Sequence, residues 1–407
     1  MSEIRDAVVI GGGQAGLVAS HALAERGLDH VVLERDRVAE RWRTARWDSL
    51  RFQFPNTVLG LPGMPYDGPD PDGFAHHLEV VGWLERYRRL VGAPVLEQTP
   101  VTSLDRHADS WRVATPEGEL LASTVVVTTG PFQRARIPQL SADLPGDLVQ
   151  LHSVDYHNPD VLPDGAVLVV GSGASGAQIA EELVGMGRPT YLCVSRHRRV
   201  PRRCLGQDIT RWLLTLGVMD RTRAEWADGR MPPTVLVTGV AGGHDLNLRA
   251  LGAQGVTLLG TLCGAAGGVL QLADDAEPIL AAADHMHDEL MRVIAHHVGN
   301  LGHDLPEQHA AQRTASPVPY RPTVSLSDAG ITSVIWATGY SFDYDWLHAP
   351  CLDARGEPVQ HRGVADVEGL YFLGLHWMHT FKSGTFLGIG DDAAHVADHL
   401  AAHVRGR

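Results

Sequence analysis

Apolar and polar positions along the chain follow a beat that is struck twice. Residues 6–10, Asp6-Ala7-Val8-Val9-Ile10, form a short β-branched run that predicts a buried strand. Gly11-Gly12-Gly13-Gln14-Ala15-Gly16 follows, then Leu17, Ala22 and Leu23 at helical spacing, with Gly27 ending the helix. His30-Val31-Val32-Leu33-Glu34 reads as a second strand. The same order returns in Ala166-Val167-Leu168-Val169-Val170, then Gly171-Ser172-Gly173-Ala174-Ser175-Gly176, then a helix through Ile179 and Leu183, then Thr190-Tyr191-Leu192-Cys193-Val194. Two more strands run into a Thr-Gly pair: residues 124–127 into Thr129-Gly130, and residues 333–336 into Thr338-Gly339-Tyr340. Hairpin-like sequence precedes each, over 101–113 and over 256–272. In the second hairpin the expected arms are 256–259 and 269–272, with the glycines from Gly264 to Gly268 as the turn. Helical patterns occupy 279–298 and 391–404, and a proline-bearing connection spans 316–322. The repeat is far too long for a solenoid. It predicts an α/β fold class: two Rossmann-type dinucleotide-binding domains, each with a β-meander or hairpin.

Each glycine cluster has the same physical logic. The first glycine permits the tight turn, the second lets a pyrophosphate reach the backbone, and the third lets helix and strand pack closely. The helix N-terminus then presents free N–H groups and a positive dipole to the phosphates. A lone Gly-x-Gly-x-x-Gly is weak, but here each one follows a strand, opens a helix and leads to another strand. The ends of the second strands differ. Glu34 stands about 20 residues beyond the first cluster, where a carboxylate accepts hydrogen bonds from ribose hydroxyls and repels a 2′-phosphate, which suits FAD or NAD. The second unit has no acid there. Ser195-Arg196-His197-Arg198-Arg199 neutralises a 2′-phosphate and favours NADPH over NADH, with Arg196 the foremost candidate. A solvated basic face, continued by Arg202 and Arg203, is the competing reading.

Composition narrows the class. The 407 residues carry a net charge of −14, which argues against nucleic-acid or anionic-membrane partners. Four cysteines (Cys193, Cys204, Cys263, Cys351) form no C-x-x-C, against a disulfide scaffold, a zinc ribbon or a dithiol reductase. Residues 250–273 hold no charge, yet six glycines there disfavour a membrane helix, and no signal peptide fits the N-terminus; the expected location is the cytoplasm. The 22 histidines include His76-His77, His285-x-His287 and His296-His297 without a His-Glu-x-x-His; they read as surface residues, and no metal site is expected. A homo-oligomer is left open.

With these motifs in place the sequence resembles the flavin-containing monooxygenases, class B flavoproteins with two dinucleotide-binding domains. Within the family it looks closer to short bacterial members and to the plant indole-pyruvate monooxygenase type than to animal enzymes. The resemblance rests on the paired glycine motifs, Val31-Val32-Leu33-Glu34-Arg35, Arg46-Trp47-Asp48-Ser49-Leu50-Arg51, Leu61-Pro62-Gly63-Met64-Pro65, Thr129-Gly130, Ile335-Trp336-Ala337-Thr338-Gly339-Tyr340 and Gly369-Leu370-Tyr371-Phe372-Leu373-Gly374. It implies an FAD-binding domain in two parts, 1–160 and 330–407, with an NAD(P)H-binding domain, 161–329, inserted between them. It also implies reduction of FAD by NADPH, and a C4a-(hydro)peroxyflavin that inserts one atom of O2 into a small-molecule substrate. The flavin contacts it implies come from Trp42, from residues 46–53, and from the run 382–390 with Ser383 and Thr385, whose last glycine opens a helix.

The sequence also departs from the family. Its linker fingerprint has Gly146 and Leu148 where the family has Phe and Gly, though His152, Ser153 and Tyr156 are kept; this weakens a Baeyer–Villiger assignment. Glu40-Arg41 replaces the usual Gly-Gly ahead of Trp42. The asparagine found near the flavin in animal-type members falls on Gln53, with Asn56 nearby; either amide is a candidate to hold the oxygenated flavin. His244-Asp245-Leu246-Asn247 reads as a surface turn or a substrate-facing loop, and His376-Trp377-Met378-His379 as a pocket wall or a packed segment. The expected function is an N- or S-oxygenation, or an oxidation at an activated carbonyl. The alternatives are an NAD(P)H-dependent flavin oxidoreductase or oxidase without oxygen insertion, and a redox-sensing binding module.

Overall fold

The computed structural model describes residues 4–226, 235–300 and 317–406. Ser316, the first residue of the predicted connection 316–322, lies outside them. The first beat is realised as β1 (Arg5–Ile10), α1 (Gln14–Glu25) and β2 (His30–Leu33). β1 and β2 pair in parallel, from Ala7 opposite His30 to Ile10 opposite Leu33. Both strands are short apolar runs because a parallel strand covered by helices is buried on both faces. Helix α2 (His77–Val91) turns Val80, Val81, Leu84 and Tyr87 to the core, and is fixed by a capping box at His76 and Glu79 and by Gly92 in the left-handed region, φ 62°. β3 (Ser103–His107), β4 (Ser110–Thr115) and β5 (Gly118–Val127) form a meander, so the predicted hairpin has a third strand. β5 serves two purposes. Its first half, with partly exposed positions, pairs antiparallel with β4, and its buried second half pairs parallel with β1.

The second beat builds a separate all-parallel sheet. Its strands are β6 (Val149–His152), β7 (Ala166–Val170), followed by α3 (Ala174–Gly185), and β8 (Thr190–Cys193). β9 (Val235–Thr238) stands outside this sheet and pairs with Arg198–Arg199. β10 (Thr257–Leu259) completes one edge. Beyond β10 lie β11 (Leu262–Ala266), β12 (Val269–Leu272), α4 (Ala276–Asn300), β13 (Thr323–Ser325) and β14 (Ile331–Trp336). The strand order is β10-β8-β7-β14-β6. The reading of 256–272 needs correcting. Residues 257–259 are a sheet strand, and the hairpin's first arm is β11, with Gly264 inside it at a bulge and Gly267-Gly268 as the turn. The sheet also draws in β6 and β14, which lie outside the 161–329 expected for the inserted domain.

The chain then rejoins the first sheet through β15 (Leu370–Phe372), parallel to the end of β5, and closes with α5 (Ile389–Arg405). α5 lies on α1, where Arg26 donates to Ala394 O at 3.2 Å. One apolar core unites Val8, Leu17, Leu84, Val125, Phe372 and Leu400; another unites Val169, Ile179, Leu192, Leu236 and Ile335. Among the described residues, no helix is long and apolar enough to cross a membrane.

Candidate functional site

Both glycine turns have the geometry that the motif demands. Gly11 has φ +114° and Gly171 has φ +98°. A Cβ on Gly16 would lie 1.8 Å from Gly11 O, and one on Gly176 would lie 1.9 Å from Gly171 O, so only glycine permits this helix-to-turn approach. The middle glycines contrast with these. A Cβ on Gly13 or Gly173 would meet nothing within 4 Å, and each of these residues caps its helix without a side-chain hydrogen bond. Two helix N-termini thus stand open with free N–H groups, which is the donor set that a dinucleotide's diphosphate takes. Gln14 donates to Gly384 O at 3.0 Å, and Gly374 abuts Ala15, so the C-terminal run borders the first cradle.

At the strand ends the two cradles diverge as the sequence implies. Glu34 accepts from Gly12 N at 2.5 Å and from Asp36 N at 2.9 Å. Burial pushes its carboxyl above the usual range despite these two bonds. In the second cradle Ser195 takes the same place, its Oγ accepting from Ser172 N at 3.0 Å, and Ser172 Oγ accepts from Ser195 N at 2.8 Å. The basic run separates into parts. Arg199 is held by Asp284 at 2.7 Å, Arg198 lies over the Trp226 ring at 5.4 Å, and Arg202 is paired with Asp208. Arg196 alone of these four is exposed, and it has no ion pair among the described residues.

Side chains of the two units meet in the segment after Trp42. Trp42, Phe52 and Phe386 pack edge to face, with ring centroids 5.4 to 6.5 Å apart, which ties the run 382–390 to this segment. Arg46 lies 4.9 Å from the centre of the Trp42 ring. Burial pulls its guanidinium down to about 10. Trp47 and Leu50 are buried in the core of the second unit, and Ser49 donates to Glu182 of α3 at 2.5 Å. Ser383 and Thr385 are turned inward: Ser383 Oγ accepts from the His379 and Thr380 N–H groups, and Thr385 Oγ1 donates to Lys382 O at 2.6 Å. Thr129 accepts from Gln133 at 2.9 Å and Thr338 donates to Arg136 O. Arg35 pairs with Asp36 in solvent.

The two candidate amides have different surroundings. Asn56 is buried; it donates to Asp70 O at 2.8 Å and accepts from Ala75 N at 2.6 Å, so both ends of its amide clamp a loop. Gln53 is half-buried and makes one long bond, from Nε2 to Val237 O at 3.5 Å. Three positions have surroundings that the sequence pattern does not reveal. Ala39 sits at φ 61° with its N–H on Gly12 O, where the chain has Ala in a conformation that favours glycine. Arg202 reaches Gln53 O at 2.6 Å. Asp392, in the first turn of α5, is buried with Oδ2 unpartnered, and burial raises its carboxyl to about 6.

Two of the clustered histidines expected on the surface are buried instead. His77 bonds Trp42 O at 2.7 Å, and His287 packs inside α4 beside Asp288. Among the described residues, no group of His, Cys, Asp and Glu is placed to hold a metal. His244 pairs with Glu181 at 2.7 Å, and Asn247 caps the helix Leu248–Ala253, so that loop is engaged within the second unit.

Residues 8–213 match the family described as pyridine nucleotide-disulphide oxidoreductase. An uncharacterized CzcO-like oxidoreductase of Geobacillus kaustophilus is 31% identical over 409 residues, which cover 99% of this chain and 100% of that protein. Indole-3-pyruvate monooxygenase YUCCA1 of Oryza sativa is 31% identical over 212 residues, 49% of this chain and 50% of its own. Among solved structures, a flavin-containing monooxygenase from Stenotrophomonas maltophilia superposes with a TM-score of 0.69 at 23% identity over 99% of both chains. OTEMO in complex with FAD and NADP gives 0.55 at 16% identity, covering 100% of this chain and 86% of OTEMO. At these identities the structural likeness is one of fold.

Proposed function

The chain belongs to the pyridine nucleotide-disulphide oxidoreductase family, and from that premise we propose that it is an FAD- and NADPH-dependent monooxygenase acting on a small molecule. The overall change balances as substrate + O2 + NADPH + H⁺ → oxygenated substrate + H2O + NADP⁺, with the oxygen going to nitrogen, sulfur or an activated carbonyl. FAD, when bound, supplies the hydride acceptor and the oxygen chemistry. The protein's part is to hold, orient and exclude water.

The observation that carries this reading is the pair of open glycine cradles with unlike strand ends. Gly11, Gly13, Gln14, Ala15 and Gly16 would hold the FAD diphosphate, with Glu34 beside its ribose. Gly171, Ser172, Gly173, Ala174, Ser175 and Gly176 would hold that of NADPH, with Ser195 and Arg196 at its 2′-phosphate. Of the two amides, Gln53 is the one with capacity to spare, and we assign it the contact with the flavin's reacting edge. Sheet membership supports an inserted unit that runs from β6 to β14. The YUCCA1 similarity supports oxygenation, and burial lifts the Cys193 thiol to about 12, away from the thiolate that disulfide exchange needs.

Supplying NADPH and ¹⁸O2 with a panel of amines, thioethers and ketones tests the assignment by mass spectrometry. We expect one labelled oxygen in a product. If all the label appears in hydrogen peroxide while NADPH is consumed, the oxidase alternative holds.

A further inference from the structure

The loop that carries Gln53 follows the first cradle in sequence, yet the second unit grips it. Trp47 and Leu50 are buried with Ile179 and Leu183 of α3. Ser49 donates to Glu182, whose other oxygen accepts from Tyr156 at 2.6 Å. Gly239, just past β9, is close enough that a Cβ there would meet Phe52 O at 2.6 Å, and Gly243 would meet the Phe74 ring at 2.3 Å. Arg202 completes the grip. It is 2% exposed, its guanidinium lies 4.2 Å from the centre of the Phe74 ring, Nε donates to Asp208 Oδ2 at 2.8 Å, and Nη1 donates to Gln53 O at 2.6 Å. Asp208 is itself fixed, because its Oδ1 accepts from Thr210 N as the cap of the helix Ile209–Thr215. The Gln53 amide points to Val237 O, which also accepts from Gln178 of α3 at 3.1 Å.

We propose that Arg202, oriented by Asp208, is a positioning residue: it fixes the Gln53 main chain, and so sets where the Gln53 amide stands over the flavin site. A buried ion pair contributes little net stabilisation, so stability is a weak account of this arrangement. A guanidinium held at Nε by Asp208 does, however, fix through Nη1 one main-chain oxygen in space. The inference rests on the proposed role of Gln53. It adds that the second unit controls that role, so displacement of the second unit moves the amide.

The test uses the FAD-loaded, full-length protein without substrate, fed NADPH. The balanced leak is NADPH + H⁺ + O2 → NADP⁺ + H2O2, and its rate reports how well the flavin site is protected. Arg202→Met is expected to retain FAD, and its anaerobic bleaching by NADPH is measured alongside so that peroxide release is expressed per reduced flavin. Its peroxide release should rise at least about fivefold. In a Gln53→Ala background, Arg202→Met should add nothing further, because the fixed main chain then carries no amide left to position. An unchanged leak, or a leak that rises by the same factor in both backgrounds, overturns the proposal. If Arg202→Met does not fold, Asp208→Asn, which keeps the cap oxygen and loosens the fork, is read by the same criteria. A wild-type holoenzyme that NADPH does not bleach would instead contradict the proposed function itself.

Discussion

Single atoms decide the cradles. Gly13 and Gly16 occupy one turn yet make opposite predictions. Gly16→Ala forces a Cβ to 1.8 Å from Gly11 O and should destabilise the protein by about 3 kcal/mol or more, seen as a loss of soluble protein or a large fall in Tm. Gly13→Ala meets no protein atom, so the apoprotein should melt near the wild-type temperature while FAD retention on gel filtration is lost. A stable, fully yellow Gly13→Ala protein would mean that no diphosphate approaches there. Arg196 is the matching residue of the second cradle. Arg196→Ala should raise KM for NADPH roughly tenfold and leave KM for NADH nearly unchanged, since one guanidinium–phosphate contact of about 1.4 kcal/mol is removed. Equal effects on both coenzymes would remove the phosphate-recognition argument.

The helix α5 carries a prediction of its own. Asp392 lies in its first turn, buried beside Ser383, Lys382, Arg362 and Asp391. Its carboxyl titrates near 6 when folded and near 3.8 when unfolded, so between these values the folded protein binds the extra proton. Stability from this group therefore falls as pH rises from about 4 to 6, and the penalty of up to about 3 kcal/mol stays in full above that. Asp392→Asn should melt above wild type at pH 8, the difference should be about half as large near pH 5, and it should vanish only below about pH 3.5. A constant difference across that range would show that the carboxyl does not titrate there. At this scale the sequence was legible where the signal is local. The glycine turns, α1, α3, α5 and the short buried strands of the parallel sheets follow from spacing alone. Gly264 misled because a glycine inside a bulged strand reads like a turn. Trp47 and Leu50 pack in the core of the second unit, which spacing does not reveal because an apolar residue does not declare which of two cores will take it. His77 was read as surface because its burial depends on Trp42 O, 35 residues earlier in the chain. The Arg202–Asp208 fork looked like part of a basic face, since charge alone does not reveal a buried partner.

Over the whole molecule, two cradles, one on a mixed sheet and one on an all-parallel sheet, are proposed to serve one reaction, joined by a loop that one unit encodes and the other holds. Each sheet explains its own cradle, and the aromatic packing of Trp42, Phe52 and Phe386 with the Arg202 fork explains how the site between them is kept in register. The most direct test is anaerobic: the purified yellow protein is mixed with NADPH in a stopped-flow cell and flavin absorbance is followed. The account predicts full bleaching in a single saturable phase, slower at limiting NADH. A flavin that stays oxidised with either coenzyme, or a protein that holds no flavin, would contradict it.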